Sequence, residues 1–323
     1  MGVLITHICA VSQGGVSDYA DICSQRQPGA IMLALNKEMA ASMSLSGDVI
    51  LHYVGYGYTK RGAPLWLLKK LEAERSNIKT LGVYFHELYA FGAPWSSAFW
   101  FSPIQRHIAR RIVELSDFWI TNRNESALWL KRFASNKPHA VLPVFSNVGE
   151  MPLYLAKRLS RIVVFGGSAL REETYRAAGD KLFSWAHTSG LEIHDIGPLI
   201  KDKAINDGLV KAGAIIHGYM DTKAISMFLS NALFGVVKYP VEYVAKSGVF
   251  AAYAAHGVCP VLISDNEVIS DGLVAGKHYL YDIPSGNVNK TIIQSIGKSV
   301  WDWYQSHSVD SHISVQLSLL RSK

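Results

Sequence analysis

A histidine and a glutamate follow a short apolar segment in the first third of the chain. The segment Thr80–Phe85 is predicted to be a buried strand, and His86 and Glu87 come directly after it. Ligands of α/β proteins bind beyond the carboxyl ends of the strands, so this position suits a catalytic side chain. Adjacent residues of an extended chain point to opposite sides, so one of the two is expected to face a ligand while the other supports the loop. We favour His86 for the chemistry, although a single histidine at a strand end is also commonly structural.

A second polar group lies between the predicted strand Phe234–Tyr239 and a helix of small residues that begins at Gly248. A lysine beside the free N–H groups of a helix N-terminus is suited to bind a diphosphate, which nominates Lys246, Ser247 and Gly248. Glu242, at the start of this stretch, can accept hydrogen bonds from sugar or ribose hydroxyl groups. The alternative is a solvated loop in front of a packed helix.

Two glycine turns follow predicted strands, one in each half of the chain. Gly14-Gly15 follows the first strand, and Gly166-Gly167 follows the strand that opens the second half, with Arg171 shortly after it. Glycine lets backbone N–H groups approach a ligand closely, and the helix after each turn offers its N-terminus to a phosphate. Both turns are therefore candidates for donor binding. The first turn lacks the GxGxxG spacing of a dinucleotide site, and a plain tight turn is an equally good interpretation.

An aromatic stretch follows His86 and has three interpretations. Aromatic faces stack on sugar rings and apolar groups, so Trp95 and Phe99 are candidates to bind an acceptor, together with Tyr56 in the loop after the preceding strand. The same residues could instead fill the core between helices. A third option is a wedge on a membrane surface, because Arg106 and neighbouring arginines stand behind the aromatic residues.

The composition excludes several classes of protein. The 323 residues favour two domains, and 49% hydrophobic with 18% charged residues is an ordinary globular balance. The net charge of +6 comes without a long basic run, which argues against a nucleic-acid-binding arm. Three scattered cysteines provide neither a disulfide framework nor a zinc site, and no HxxxH or DxD pattern suggests a metal. The N-terminus is predicted to be a strand rather than a signal peptide, and no apolar run could span a bilayer. We therefore expect a soluble cytoplasmic protein, at most peripheral to the inner face of a membrane.

Strands and helices alternate along the chain, which predicts an α/β protein with parallel sheets covered by helices on both faces. The alternation is interrupted around Phe145–Leu159, and the second half then begins like the first, with a strand, a glycine turn and a helix. The sequence therefore predicts two similar units.

These features together resemble the GT-B glycosyltransferases, in particular the large retaining family 4, over nearly the whole chain. The resemblance is carried by the following stretches: Gly14-Gly15, His86, Leu142–Gly149, Gly166-Gly167 with Arg171, and Glu242 through Gly257-Val258-Cys259-Pro260-Val261. In the family's acidic motif a second glutamate follows the first by eight positions, whereas this chain has Phe250 there.

The resemblance implies two Rossmann-like domains that face each other across a cleft. It places the acceptor domain at residues 1–147 and the donor domain at 148–300, with a C-terminal helix of about 301–323 packing back on the first domain; Ser295–His307 is the segment expected to cross. It implies a nucleotide-diphosphate sugar as co-substrate, no metal and no other cofactor, with Arg171 and Lys246 bearing the diphosphate charge. Glu242 would contact donor hydroxyls and His86 the reacting sugar.

The predicted function is transfer of a sugar from this donor to a hydroxyl of a glycan, a lipid-linked saccharide or a small molecule. Retention of the anomeric configuration is implied by the resemblance. The alternative is a catalytically silent subunit of the same fold that binds a nucleotide sugar or a glycan, which the phenylalanine at position 250 favours. An epimerase or a phosphorylase on the same fold is a third option.

Overall fold

The computed structural model describes residues 5–11, 14–153 and 158–322. Its strands are β1 Ile5–Ala10, β2 Ala30–Leu35, β3 Gly47–Tyr53, β4 Ile78–Phe85, β5 Phe118–Thr121, β6 His139–Val141, β7 Leu159–Phe165, β8 Glu192–Ile196, β9 Ile215–Gly218, β10 Ala232–Lys238, β11 Cys259–Ile263 and β12 Leu280–Tyr281. Its helices are α1 Gly15–Arg26, α2 Lys37–Ser42, α3 Gly55–Tyr58, α4 Leu65–Glu74, α5 Ser97–Leu115, α6 Asn124–Ala134, α7 Ser168–Ser189, α8 Lys203–Lys211, α9 Thr222–Asn231, α10 Gly248–Ala255, α11 Lys290–Gln305 and α12 Val309–Arg321, with a 3-10 helix at Val241–Lys246.

The chain divides into two compact units. The first consists of Met1–Pro143 and Val309–Lys323, and the second of Val144–Ser308. The segment that returns to the first unit is therefore α12. The predicted crossing segment, Ser295–His307, instead lies in and just after α11 of the second unit, so that prediction is wrong. The difference has a local cause, since α11 stops at Gln305 and the chain turns before α12 begins at Val309.

The sheet of the first unit has the strand order β2-β1-β3-β4-β5-β6, and all its pairings are parallel. The order reverses between β1 and β3, so the connections after these two strands leave towards opposite faces and open a crevice at their carboxyl ends. One face of the sheet is apolar and packs against α4, α5 and α6 through residues such as Leu51, Val83 and Ile112. The opposite face carries His52 and Tyr84, as the alternation of side chains along each strand requires.

The second unit repeats this plan. Its sheet has the order β12-β11-β10-β7-β8-β9, again with parallel pairings, and it reverses between β7 and β10. The buried core contains Ile162, Leu182, Phe234 and Val261. The predicted α/β class with two Rossmann-like units is thus confirmed, and the predicted glycine turn at Gly166-Gly167 lies at a switch point of the second sheet.

Helix α5 begins earlier than the sequence predicts. The sequence pattern predicts a helix over Ile104–Leu115 with the aromatic residues in a loop before it, whereas α5 starts at Ser97. The hydroxyl of Ser96 accepts a hydrogen bond from the backbone N–H of Phe99 at 3.3 Å and so caps the helix. Phe99 and Trp100 therefore project from the first turn of a helix.

Within the described residues, no helix is both long enough and apolar enough to cross a membrane.

Candidate active site

His86 is held at the carboxyl end of β4 by both neighbouring strands. Its backbone N–H donates to the carbonyl of Tyr53, at the end of β3, at 3.0 Å. Its carbonyl accepts from the side-chain amide of Asn122, after β5, at 3.2 Å. The side chain is only 5% exposed, whereas Glu87 is exposed to solvent. The two residues thus face different surroundings, as expected for neighbours in an extended chain.

His86 is the last member of a row of three buried histidines. His52, in β3, approaches His86 with a distance of 3.2 Å between Nδ1 of His52 and Nε2 of His86. On its other side, Nε2 of His52 lies 2.9 Å from Nδ1 of His7, in β1. His7 in turn contacts the side-chain oxygen of Gln27 through Nε2, at 2.8 Å. Desolvation lowers the pKa of His7 and, more strongly, that of His52, so both imidazoles are neutral near pH 7.

Aromatic rings and a fourth histidine enclose this row. Tyr84 stacks on His86 with 4.2 Å between ring centroids, and Tyr19 of α1 meets His86 edge-on at 5.0 Å. His312 of α12 contacts the hydroxyl of Tyr19 through Nδ1. Its Nε2 lies 2.9 Å from the carbonyl of Pro143. Burial lowers the pKa of His312 to about 3. The polar face of the first sheet is therefore closed by both α1 and α12.

Sequence reasoning singled out His86 but missed this row. A signal was present, because ITHICA and DVILHY each place a histidine inside an otherwise apolar strand. The contribution of α12 had no local signal, since Gln316 and Gln27 are separated by most of the chain and meet only through folding.

The remaining first-unit candidates lie on the surface. Gly14 precedes α1 with φ +153° and ψ 179°, a conformation essentially restricted to glycine. Apart from chain neighbours and the backbone of α1, no described atom lies within 4 Å of where a Cβ on Gly14 or Gly15 would stand. The hydroxyl of Tyr56 accepts a hydrogen bond from Gln105 of α5 at 3.3 Å, and Trp95 is 88% exposed. Phe99 is 43% exposed on the first turn of α5.

In the second unit, the connections after β7 and β10 come together. Gly167 is the N-cap of α7, and Ser247 is the N-cap of α10, where its hydroxyl accepts from the N–H of Phe250 at 3.2 Å. A Cβ on Gly166 would lie 3.1 Å from a methyl group of Val249, so the two helix starts are adjacent. Gly167 has open space around its Cα, and Gly248 would meet a neighbour only at 3.8 Å. Two helix N-termini therefore meet at the switch point of the sheet.

Lys246 ends the short 3-10 helix immediately before this N-terminus. It is half-buried, and its ammonium lies 5.8 Å from the centre of the Tyr243 ring. Glu242 is half-buried at the beginning of the same short helix. Phe250 is completely buried and lies near the rings of Tyr279 and Trp303. Position 250 thus belongs to the core of this unit.

Arg171 lies near the start of α7, after the Gly166-Gly167 turn, but its side chain is buried. Its guanidinium is 1% exposed and forms an ion pair with Asp195, which is also buried. The same group donates from Nε to the carbonyl of Gly166 at 3.0 Å and from Nη2 to the carbonyl of Pro198. Asp195 compensates the charge of the guanidinium, and the loops after β7 and β8 accept its hydrogen bonds. This geometry argues against a direct contact between Arg171 and a diphosphate. Arg171 instead supports the shape of the Gly166-Gly167 turn.

A metal centre is not indicated in the part of the chain that the structure describes. No group of three or more histidine, cysteine, aspartate or glutamate side chains there is arranged to hold a metal ion.

No family model matches the sequence, and no curated protein does so either. Solved structures nevertheless share its fold. A putative UDP-N-acetylglucosamine 2-epimerase from Listeria monocytogenes has a TM-score of 0.60 at 11% identity, covering 99% of this chain and 97% of that one. AviGT4, a glycosyltransferase involved in avilamycin A biosynthesis, has a TM-score of 0.54 at 9% identity and covers 98% and 97%. A mutant of S. aureus TarM in complex with Fondaparinux, alpha-GlcNAc-glycerol and UDP has a TM-score of 0.54 at 13% identity, covering 85% and 56%.

The chain spans 56% of the length of TarM and 59% of the matched chain of the GtfA/B complex. Identities at this level establish the fold alone. That fold is the one predicted from the sequence, the two-unit α/β arrangement of the GT-B glycosyltransferases, and a putative epimerase shares it.

The buried histidines make stability depend on pH. The folded pKa of His312, about 3, is below its unfolded value of about 6.5, so between these values the unfolded chain binds more protons and the free energy of unfolding falls as pH falls. From pH 7.5 to 5.5 this one histidine should remove about 1.4 kcal/mol. His312→Gln keeps a donor for the Pro143 carbonyl. Between pH 7.5 and 5.5 the free energy of unfolding of this variant should fall by about 1.4 kcal/mol less than that of the wild type, as measured by urea unfolding at the two pH values. His107→Gln, on the exposed surface of α5, is the control, and an equal pH dependence in both variants would contradict the assignment.

Proposed function

We propose that the chain is a glycosyltransferase that moves a sugar from a nucleotide-diphosphate donor to a hydroxyl group of an acceptor. The observation that carries this proposal is the meeting of two helix N-termini, with Lys246 beside them, beyond the carboxyl ends of β7 and β10. Backbone N–H groups and the positive ends of helix dipoles bind phosphate groups, and ligands of such sheets bind at the switch point.

This arrangement supports the following proposed donor contacts. Gly167 and Gly248 leave room for phosphate oxygens beside the backbone of α7 and α10, and Ser247 can donate its hydroxyl while its oxygen caps α10. Lys246 supplies a positive charge, and Glu242 accepts from hydroxyls of the ribose or the sugar. TarM was crystallised with UDP, which supports a uridine-type donor as the first to test. We assign Arg171 to the support of this site rather than to the phosphates.

The chemistry requires stabilisation of a leaving diphosphate and of an oxocarbenium-like sugar. The helix N-termini and Lys246 are assigned to stabilise the negative charge that develops on the leaving group. Because these groups supply positive charge, we propose that the reaction needs no metal. His86 is assigned a hydrogen bond to a hydroxyl of the transferred sugar, and we propose retention of configuration on the basis of the family resemblance.

The first unit is assigned to the acceptor. Its exposed aromatic surface, defined as Tyr56, Phe91, Trp95, Phe99 and Trp100, suits the ring of a saccharide or the apolar part of a lipid-linked acceptor. Arg106 lies over the ring of Tyr89 at 4.4 Å and brings positive charge to its border. This combination also suits the headgroup region of an anionic membrane, and a peripheral contact is therefore part of the proposal.

Two observations favour other activities of the same fold. Phe250 occupies the position of the family's second glutamate, which favours a silent subunit, and the fold is shared with a putative epimerase. Incubation with a panel of nucleotide sugars, with and without saccharide acceptors and with a chelator, separates these options. A transferase releases nucleoside diphosphate faster with an acceptor, and NMR of the product gives the anomeric configuration. A silent subunit binds the nucleotide without releasing product, and an epimerase converts the donor without an acceptor.

Lys246→Ala should weaken the affinity for a nucleoside diphosphate about tenfold, because a charge-assisted hydrogen bond to a phosphate is lost. Titration calorimetry with UDP and other nucleoside diphosphates measures this. Lys211→Ala, at the exposed end of α8, is the matched control and should leave the affinity unchanged. Equal affinities of Lys246→Ala and the wild type for every nucleotide in the panel would remove the phosphate assignment.

His86→Ala should lower kcat about a hundredfold while the affinity for the donor changes little, because its hydrogen bond acts on the reacting sugar. Steady-state kinetics and equilibrium binding of the nucleoside diphosphate provide the two readouts, and thermal unfolding checks that the variant is folded. His187→Ala, on the exposed end of α7, is the control. Normal turnover of a folded His86→Ala protein would make His86 purely structural.

Trp95→Ala should raise the KM for a saccharide acceptor about fivefold, because one aromatic stacking contact is lost. Leu128→Ala, which removes an exposed apolar side chain from α6, should leave that KM unchanged. Sedimentation with anionic vesicles is measured in parallel. An unchanged KM together with weaker vesicle binding would assign the aromatic surface to the membrane instead of the acceptor.

A further inference from the structure

The histidine row continues beyond His7 into a chain of hydrogen bonds that ends on α12. The side-chain nitrogen of Gln316 donates to the sulfur of Cys23 at 3.7 Å, and that of Gln27 donates to the side-chain oxygen of Gln316 at 2.6 Å. Both amides are almost completely buried, as is the thiol. In both amides the nitrogen is on the side of Cys23 and the oxygen on the side of His7, so the side-chain oxygen of Gln27 faces His7.

This orientation determines the protonation of each ring in turn. An amide oxygen only accepts, so Nε2 of His7, at 2.8 Å from it, must carry the hydrogen. A neutral imidazole has a hydrogen on one nitrogen only, so Nδ1 of His7 accepts from Nε2 of His52 at 2.9 Å. By the same step Nδ1 of His52 accepts from Nε2 of His86 at 3.2 Å. In the neutral form of His86 the lone pair is then on Nδ1.

We propose that Gln27 and Gln316 are positioning residues that, through His7 and His52, set His86 in the Nε2–H tautomer and make its Nδ1 a hydrogen-bond acceptor for a sugar hydroxyl. The role of Nδ1 rests on the proposed function, whereas the tautomer does not. Helix α12 in this way helps to set the tautomer of His86, although Gln316 acts on it only through Gln27, His7 and His52.

The chain admits one other consistent setting, in which both amides are turned over and every hydrogen bond is reversed. His86 would then carry its hydrogen on Nδ1 and could only donate at that atom. Such a reversal requires the thiol of Cys23 to donate to an amide oxygen, and a thiol is a weak donor. The hydrogen bonds of the buried chain therefore all run in one preferred direction. Reversing a single ring or amide would leave two donors or two acceptors facing each other, and a hydrogen bond would be lost.

The test is the tautomeric state of each histidine in the full chain, read by long-range proton–nitrogen NMR with nitrogen-15 histidine. In the wild type, His7, His52 and His86 should all be of the Nε2–H form. Gln27→Met removes the acceptor at the start of the row, and the ratio of the two tautomers of His86 should fall about fivefold, the worth of one ordinary hydrogen bond. Gln316→Met, a second variant on another element, should shift the ratio in the same direction.

His312 provides the control within each spectrum, because its Nε2 donates to the carbonyl of Pro143 and its tautomer should not change. A wild-type His86 with its hydrogen on Nδ1, or a tautomer ratio unaffected by both variants, would overturn the proposal. None of these measurements uses a substrate, so they decide the tautomer even if the chain transfers no sugar. If it does, Gln27→Met should lower kcat while the affinity for the nucleoside diphosphate stays the same.

Discussion

A buried polar group is costly unless it is hydrogen-bonded, and a row of polar side chains is buried against one face of the first sheet. Three histidines, two glutamines and two tyrosines are buried there, and each contacts another of these side chains, His312 or a backbone carbonyl. An unmet donor or acceptor would cost about 1–3 kcal/mol, so the members constrain one another. The position of α12 follows from this, since it supplies both Gln316 and His312.

The same principle explains Arg171 in the second unit. A guanidinium so deeply buried is tolerated because Asp195 compensates its charge and two carbonyls accept its remaining hydrogen bonds. Arg171 thereby stabilises the conformation of the turns after β7 and β8. We propose that phosphate groups are bound in this unit by the helix N-termini, which the fold orients, together with Lys246.

Both units contain a reversal of strand order, and we assign the two reversals to different ligands. In each sheet the strand order reverses beside the first strand of the unit, so that two connections diverge and leave their ends open to a ligand. In the second unit these connections carry glycine, serine and lysine, which suit an anion. In the first unit they lead to a glycine turn and to Tyr56, and the buried His86 follows the neighbouring strand β4; these groups suit neutral hydroxyl groups and rings.

The sequence by itself determined the alternation of strands and helices, the repeated start of the second half, and the places of His86, Gly167 and Ser247 at the ends of their strands and helices. Those features depend on local periodicity and on turn and capping residues, which are readable within a few positions. Only the tertiary structure decided that His86 ends a histidine row, that Arg171 is buried in an ion pair, that Phe250 is core, and that α12 belongs to the first unit. These outcomes depend on contacts between residues far apart in the chain, such as Gln27 with Gln316. Burial determines the protonation and the hydrogen-bond orientation of each polar side chain, and it arises only when such residues come together in the fold.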